Sequence, residues 1–244
     1  MKIKLLFFDM EFTSLSPDAQ IISIGIISDC GNSFYAEFSD FDINRCDDWV
    51  KENVVSKLEF YPKVGNSNKD GLHSDANPFK VGGTFDDVKF YLKEWLSQFS
   101  DYQIQFVCDC GTWDWYWLVQ LLAEWESRSL EVRNGDKIYD IGQEKGFGIC
   151  CMGDYELILK NRTGLPKLPD NISPVPSDLN DLIAFKKGIT PKEAFDLNRE
   201  ELCIDVTDTE LWQSLERIDK HSLPQKHNAL WDAKVIKEIY QKMK

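Results

Sequence analysis

Apolar and polar positions alternate along this chain with two different periods. Ile3 to Phe8 is apolar apart from Lys4, as expected for a strand covered on both faces. Ile21 to Ile27 is a second such run, rich in β-branched residues, and Phe34, Ala36 and Phe38 alternate with polar residues in a third. Asp29-Cys-Gly-Asn32 supplies a turn between the last two, so a three-strand antiparallel meander is predicted. Asp40 to Gly83 lacks long periodicity and reads as irregular with one short helix. From Thr84, an N-cap residue, a helical stripe runs through Phe85, Val88, Leu92, Trp95, Leu96 and Phe99. Ile104 to Cys108 reads as a strand and Thr112 to Glu126 as a helix with Leu118, Leu121, Leu122 and Trp125 as its stripe. Lys137 to Asp140 reads as a fifth strand, residues 163–192 as a proline-rich inserted arm or lid, and Ala229 to Lys242 as a closing helix. The order implies an α/β fold: one domain over residues 1–244, its mixed sheet combining the meander with parallel strands between helices.

Charge narrows the function. Lys plus Arg number 28 against 41 Asp plus Glu, a net −13. A protein that grips long nucleic acid by releasing counterions is normally basic, so any nucleic-acid role must rest on a local site or on bound cations. The seven cysteines include no C-x-x-C and read as reduced thiols rather than zinc ligands or disulfides. The apolar run at the start is too short for a signal peptide, and no stretch is long enough to span a bilayer. The expectation is a cytoplasmic protein with no membrane partner.

Carboxylates stand where an apolar stripe leads. Asp9 and Glu11 close the first strand at i and i+2, on one face and about 6.6 Å apart along it. Two carboxylates so placed repel unless a cation lies between them. In the closing helix, Asp232 falls on the stripe of Val235, Ile236, Ile239, Tyr240 and Met243. Asp114 similarly precedes Trp117, Leu118, Leu121 and Leu122 on the helix after the fourth strand. Trp117 reads as core. Inward carboxylates need partners, and no Lys or Arg adjoins any of the four in sequence. Oxygen ligands in this number suit Mg²⁺ or Mn²⁺. Asp109, at the end of a strand, is the alternative to Asp114. His227 precedes the closing helix in a loop, with Asn228 as N-cap, and is placed to act as a general base.

Three segments carry a resemblance. Phe8-Asp9-Met-Glu11-Phe-Thr13, Thr112-Trp-Asp114-Trp-Tyr-Trp-Leu118 and His227-Asn-Ala-Leu-Trp-Asp232-Ala233 resemble the motifs of the DEDDh 3′–5′ exonucleases, the third being similar to the ribonuclease T-like exoribonucleases. The resemblance covers roughly residues 3–150 and 225–242. It implies an RNase H-like fold, two Mg²⁺ or Mn²⁺ ions and release of nucleoside 5′-monophosphates from a 3′ end. It also implies that Asp9, Glu11 and Asp232 hold the ion that activates water, Asp9 and Asp114 hold the second, and His227 takes the water's proton. Phe12, Thr13 and Trp113 are then expected to meet the terminal nucleotide. The expected substrate is single-stranded or 3′-overhanging nucleic acid, RNA over DNA, and the expected assembly includes a homodimer. Two other readings compete. Asp9-Met-Glu-Phe-Thr13-Ser-Leu15 also resembles the signature of haloacid dehalogenase-like phosphatases, and the fold could serve as a non-catalytic nucleic-acid-binding module.

Overall fold

The computed structural model describes residues 2–16, 18–61, 72–74, 76–123, 130–134, 137–140, 156–159, 167–197 and 227–244. They fall into two compact units, Met1–Leu121 with Asp170–Lys244, and Leu122–Pro169.

In the larger unit the meander forms as the apolar runs require. Strands β1 (Lys2–Phe12), β2 (Ile21–Ser28) and β3 (Ser33–Phe38) pair antiparallel. The turn between β2 and β3 puts Gly31 at φ +94°, a conformation that suits a residue without Cβ. Next come α1 (Asp48–Asn53), β4 (Leu72–Ser74), β5 (Phe79–Gly83) and α2 (Phe85–Ser97). Thr84 and Asp87 form a reciprocal capping box on α2, which fixes where that helix starts. β6 (Tyr102–Cys108) runs parallel to β1 and leads into α3 (Asp114–Leu122). The sequence reading extends this helix to Glu126, but residues 124–126 lie outside the described residues.

The smaller unit holds β7 (Leu130–Asn134), β8 (Lys137–Asp140) and β9 (Glu156–Leu159), an antiparallel sheet ordered β8-β7-β9. The strand expected at 137–140 therefore exists but belongs to this separate sheet. The larger unit continues with β10 (Ser177–Asp178), α4 (Leu179–Lys187), α5 (Pro191–Asp196) and α6 (Ala229–Met243).

The main sheet has seven strands in the order β10-β6-β1-β2-β3-β5-β4, with β10 parallel to β6 and β5 parallel to β3. This mixed sheet between helices is an α/β fold consistent with the RNase H-like architecture. β5 lies in the stretch read as irregular; Pro78 and the Gly82-Gly83 pair mask its apolar content, and pairing to β3 supplies the order that local pattern lacks. The segment read as an arm behaves differently from 170 onward. Leu179, Ile183 and Ala184 of α4 and Ala194 of α5 are buried in one cluster with Phe7, Val107, Ile236 and Ile239. Its prolines and aspartates punctuate short, packed elements.

Helices cover both faces of the sheet. Phe7 of β1 meets Tyr240 of α6 edge-on at 5.3 Å, while Phe8 meets Phe106 at 5.5 Å and Phe106 meets Trp115 of α3 at 6.1 Å. Odd positions of β1 thus face α6, and Asp9 and Glu11 share that parity.

α6 approaches β2 at one residue. A Cβ on Gly25 would lie 2.2 Å from the Leu230 nitrogen and 2.3 Å from the Ala229 carbonyl carbon. Gly25 pairs with Asp9, so its bare backbone lets the first turn of α6 settle beside the strand position of Asp9. Gly25→Ala should force that turn away and lower the unfolding free energy by roughly 1–3 kcal/mol, the usual scale for overpacking, read from the denaturation midpoint. An unchanged midpoint would contradict this contact.

Candidate metal and catalytic centre

The site is built from strand ends. The parallel register pairs Phe7 with Val107, which sets Asp9, still paired within β1, beside Asp109, just past the end of β6. The carboxyl ends of parallel strands are where open α/β sheets commonly bind ligands. Past Asp109 the chain turns through Cys110, whose carbonyl accepts from the Asp114 N–H at 3.1 Å, and α3 begins. Asp114 occupies the first helical turn, where the helix dipole favours a negative charge. The Asn180 side chain, buried in α4, donates to the Asp109 carbonyl oxygen at 2.6 Å and fixes that strand end.

Asp232 arrives on the first turn of α6. Asn228 caps the helix by accepting from the Trp231 N–H at 3.2 Å. Before it, His227 adopts φ +71°, left-handed backbone that a non-glycine residue rarely takes. Its N–H donates to Asp232 Oδ2 at 2.7 Å, a charge-assisted bond that holds the turn. This turn points the imidazole back at β1, with Nδ1 3.9 Å from Glu11 Oε1.

A cavity of about 240 Å³ opens here, lined by Asp9, Glu11, Asp109, His227 and Asp232, with Val235, Ile236 and Ile239 as an aliphatic wall. Potential ligand atoms gather in two groups, each within 4.8 Å: Glu11 with His227 and Asp232, and Asp9 with Asp109 and Asp114. The structure therefore brings all five catalytic candidates into one region and adds Asp109 to them. Asp109 lines the cavity, whereas Asp114 is 2% exposed with its Oδ2 lacking a hydrogen-bond partner among the described residues. Such an orphaned carboxylate oxygen is costly unless something electropositive reaches it.

Electrostatics record the crowding. Burial, then Asp114, Asp232, Glu11 and Asp109, push the Asp9 carboxyl well above the usual carboxylate range. Burial and next Asp109 do the same to Asp114. Burial and then Asp232 raise Glu11 to about 8, opposed by Lys57. Lys57 corrects the impression of acids without cations: it is remote in sequence, yet its charge acts on Glu11 and Asp232, and burial lowers its own pKa. It enters on the segment read as irregular. That segment is fastened by the buried Glu37, which accepts from the N–H groups of Glu59, Phe60 at 2.8 Å and Tyr61 at 3.1 Å. The same segment sets Trp49 edge-on against His227 at 4.8 Å. Neither Lys57 nor Trp49 had a sequence signal, because only tertiary packing brings them here.

Of the three residues expected to meet a nucleotide, two are buried and one is half-buried. Phe12 is 8% exposed and tilted against Trp117 at 6.4 Å. Thr13 is buried, its Oγ1 accepting from the Gln20 N–H at 3.0 Å. Trp113 is half-buried just before α3. Trp117, read as core, is likewise half-buried. Cys30, Cys46, Cys108 and Cys110, the described cysteines, are free thiols. Among the described residues no helix is long and apolar enough to cross a membrane.

No protein-family model matches the chain. Part of it is similar to curated 3′–5′ exoribonucleases of Mycobacterium tuberculosis, strains CDC 1551 / Oshkosh and ATCC 25618 / H37Rv. Each is 36% identical over 52 residues, which is 21% of this chain and 31% of the relative. The chain thus spans just under a third of the length of the curated relatives it matches. This partial likeness supports a relationship to exonucleases.

Carboxyls raised by burial hold protons that the unfolded chain releases, so their contribution to stability is present at low pH and lost as pH rises. For Glu11 the window runs from its ordinary 4.5 to about 8. In chelator, the melting temperature should therefore fall between pH 5 and pH 8, and Asp9→Asn at pH 8 should raise it by roughly 2–4 °C, the shift that about 1 kcal/mol produces at this size. A flat profile with an unchanged variant would contradict mutual repulsion at this site.

Proposed function

We propose that this chain is a metal-dependent 3′–5′ exonuclease of the DEDDh type, acting on single-stranded or 3′-overhanging nucleic acid, RNA over DNA. The convergence of five carboxylates and one histidine at the ends of β1 and β6 and the starts of α3 and α6 carries the reading, and the likeness to exoribonucleases supports it. The donor set fits two Mg²⁺ or Mn²⁺ ions: carboxylate oxygens in two groups, one of them orphaned on buried Asp114. Glu11 and Asp232 would hold one ion and Asp114, with Asp109, the other, with Asp9 serving both. When bound, the two cations neutralise the crowded carboxylates and stabilise charge on the attacking and leaving oxygens of an in-line displacement.

The chain's own groups then supply orientation and proton transfer. Nδ1 of His227 faces Glu11, and the imidazole would take the proton of the attacking water. Water adds to the last phosphodiester phosphorus, the bond to the preceding 3′-oxygen breaks, and a nucleoside 5′-monophosphate departs. The Asp232 bond to the His227 N–H holds the base in place. Trp49, 52% exposed and packed on His227, and half-buried Trp113 offer stacking faces for the terminal base, with Phe12 backing the strand. Lys57, facing Glu11 and Asp232, is placed to meet the substrate's backbone charge in an otherwise acidic protein. Gathering His227 with Glu11 and Asp232 favours this reading over a dehalogenase-like phosphatase, which has no role for that histidine. The soluble, cytoplasmic setting and a homodimer are part of the same proposal.

One assay tests it. A 5′-labelled RNA with Mg²⁺ should shorten stepwise, its DNA counterpart more slowly, and a generic phosphate ester not at all. Asp9→Asn should abolish cleavage, and His227→Ala should lower turnover by roughly 10²–10⁴, the scale of a positioned general base. Comparing Asp109→Asn with Asp114→Asn assigns the acid of the second motif. Full activity in Asp9→Asn, or cleavage of the ester alone, would overturn the reading.

A further inference from the structure

The helix that brings Asp232 to the carboxylates has a second flank, and lysines gather there. Residues spaced i, i+4 and i+7 share a helical stripe, and Leu230, Lys234 and Lys237 form one on α6. Asp232 stands two residues before Lys234, about 200° round the helix. The lysine stripe therefore looks away from the carboxylate cavity. The sheet locates it. The Leu230 nitrogen lies 2.2 Å from where a Cβ on Gly25 would stand. Gly25 pairs with Tyr35 of β3, and Tyr35 pairs with Lys80 of β5. Paired residues project on one face of a sheet, so Lys80 rises on the α6 side, two strands or about 10 Å beyond Gly25. The Asp232 flank faces the opposite way, toward Asp109 at the end of β6.

Lysine ammonium groups converge at this place. Lys80 Nζ is held 2.8 and 2.6 Å from the two carboxylate oxygens of Glu59, with 30% of its side chain exposed. Lys234 and Lys237 are half-buried. The charges that act on Lys234 are those of Lys80 and Lys237, both positive. Glu238 follows one turn after Lys234, yet no acid among the described residues forms an ion pair with Lys234 or Lys237. Half-buried charge without a partner is costly. Three lysines against the one Glu59 carboxylate leave a local positive excess, in a chain whose net charge is −13. The missing member is an anion.

We infer that this flank of α6 binds a phosphate dianion, either free or as a phosphomonoester. A dianion matches the excess left by three ammonium groups and one carboxylate. Its oxygens accept from several directions at once, which suits point charges on flexible stems arriving from β5 and from two turns of α6. The site shares no residue with the carboxylate centre and does not depend on the nuclease reading.

Inorganic phosphate is the probe, added at pH 8 and constant ionic strength to full chain stripped of metal on a chelating resin. With ¹³C-labelled lysine, it should shift the ε-methylene resonances of Lys80, Lys234 and Lys237 saturably and with one dissociation constant. Sodium chloride should not. Lys237→Gln should weaken binding about tenfold, the order of one charge-assisted hydrogen bond. Lys234→Met keeps the aliphatic stem and should abolish binding. It should also raise the melting temperature of the ligand-free protein by about 1–3 °C, since a charge without a partner is removed. Asp9→Asn should bind phosphate as wild type does, so loss of the nuclease reading leaves this result in place. Adenosine 5′-monophosphate separates the sources. Tighter binding than phosphate assigns a nucleotide, and equal or weaker binding assigns the free anion. Dimethyl phosphate, with a single charge, should bind least and needs no variant to fold. No saturable shift, the same shift with chloride, dimethyl phosphate binding as tightly as phosphate, or a Lys234→Met protein no more stable than wild type would overturn the site.

Discussion

Crowding of negative charge at the ends of two parallel strands is the constraint around which the larger unit is arranged. Asp9 and Asp109 stand side by side because β1 and β6 run parallel in register, and Asp114 follows within one turn. Glu11 shares the face of Asp9, and Asp232 is delivered to it by a helix that can approach only because residue 25 is glycine. Nothing in folding favours five acids in one place; burial and mutual repulsion push several of them toward the neutral form. The surrounding structure holds them there anyway, through the buried cluster that joins α4, α5 and α6 to β1 and β6. Strain retained at such a place is the mark of a site rather than of a scaffold.

The meander was legible because β-branched and aromatic runs specify buried strands with few alternatives, and α2 because Thr84 stands before an apolar stripe of helical period. Asp9, Glu11, Asp114 and Asp232 stood out for one reason: each interrupts or opens an apolar stripe where a charge has no local partner. Asp109 was harder to weigh. A strand-end aspartate looks solvated until the parallel register puts it beside Asp9. β5, Lys57 and Trp49 were hidden because their places depend on long-range pairing and on the Glu37 clasp, neither of which leaves a periodic trace. The 163–192 segment was misleading in the opposite sense. Its turn-forming residues suggested an arm, yet from 170 onward they separate short elements that bury Leu179, Ile183 and Ala194.

Acidity and nucleic-acid chemistry are reconciled locally in this account. With a net charge of −13 the chain has no general attraction for a polyanion. Attraction must come from the proposed cations, from Lys57 and from aromatic faces, all of which act over the last nucleotides of a strand. The left-handed His227 turn ties the proposed base to the carboxylate that receives its backbone N–H, so His227 and Asp232 are positioned together. Trp49, half exposed, packs edge-on against the same imidazole.

The central claim is that these carboxyls are partly protonated when no cation is present and are ionised by one. Titrating Mn²⁺ calorimetrically at pH 7, in two buffers of different ionisation enthalpy, counts the protons released on binding. Net proton release is expected at pH 7, and less of it at pH 9, where Glu11, raised to about 8, is ionised before the metal arrives. Mn²⁺ that binds with no proton release at pH 7, or that does not bind at all, would contradict it.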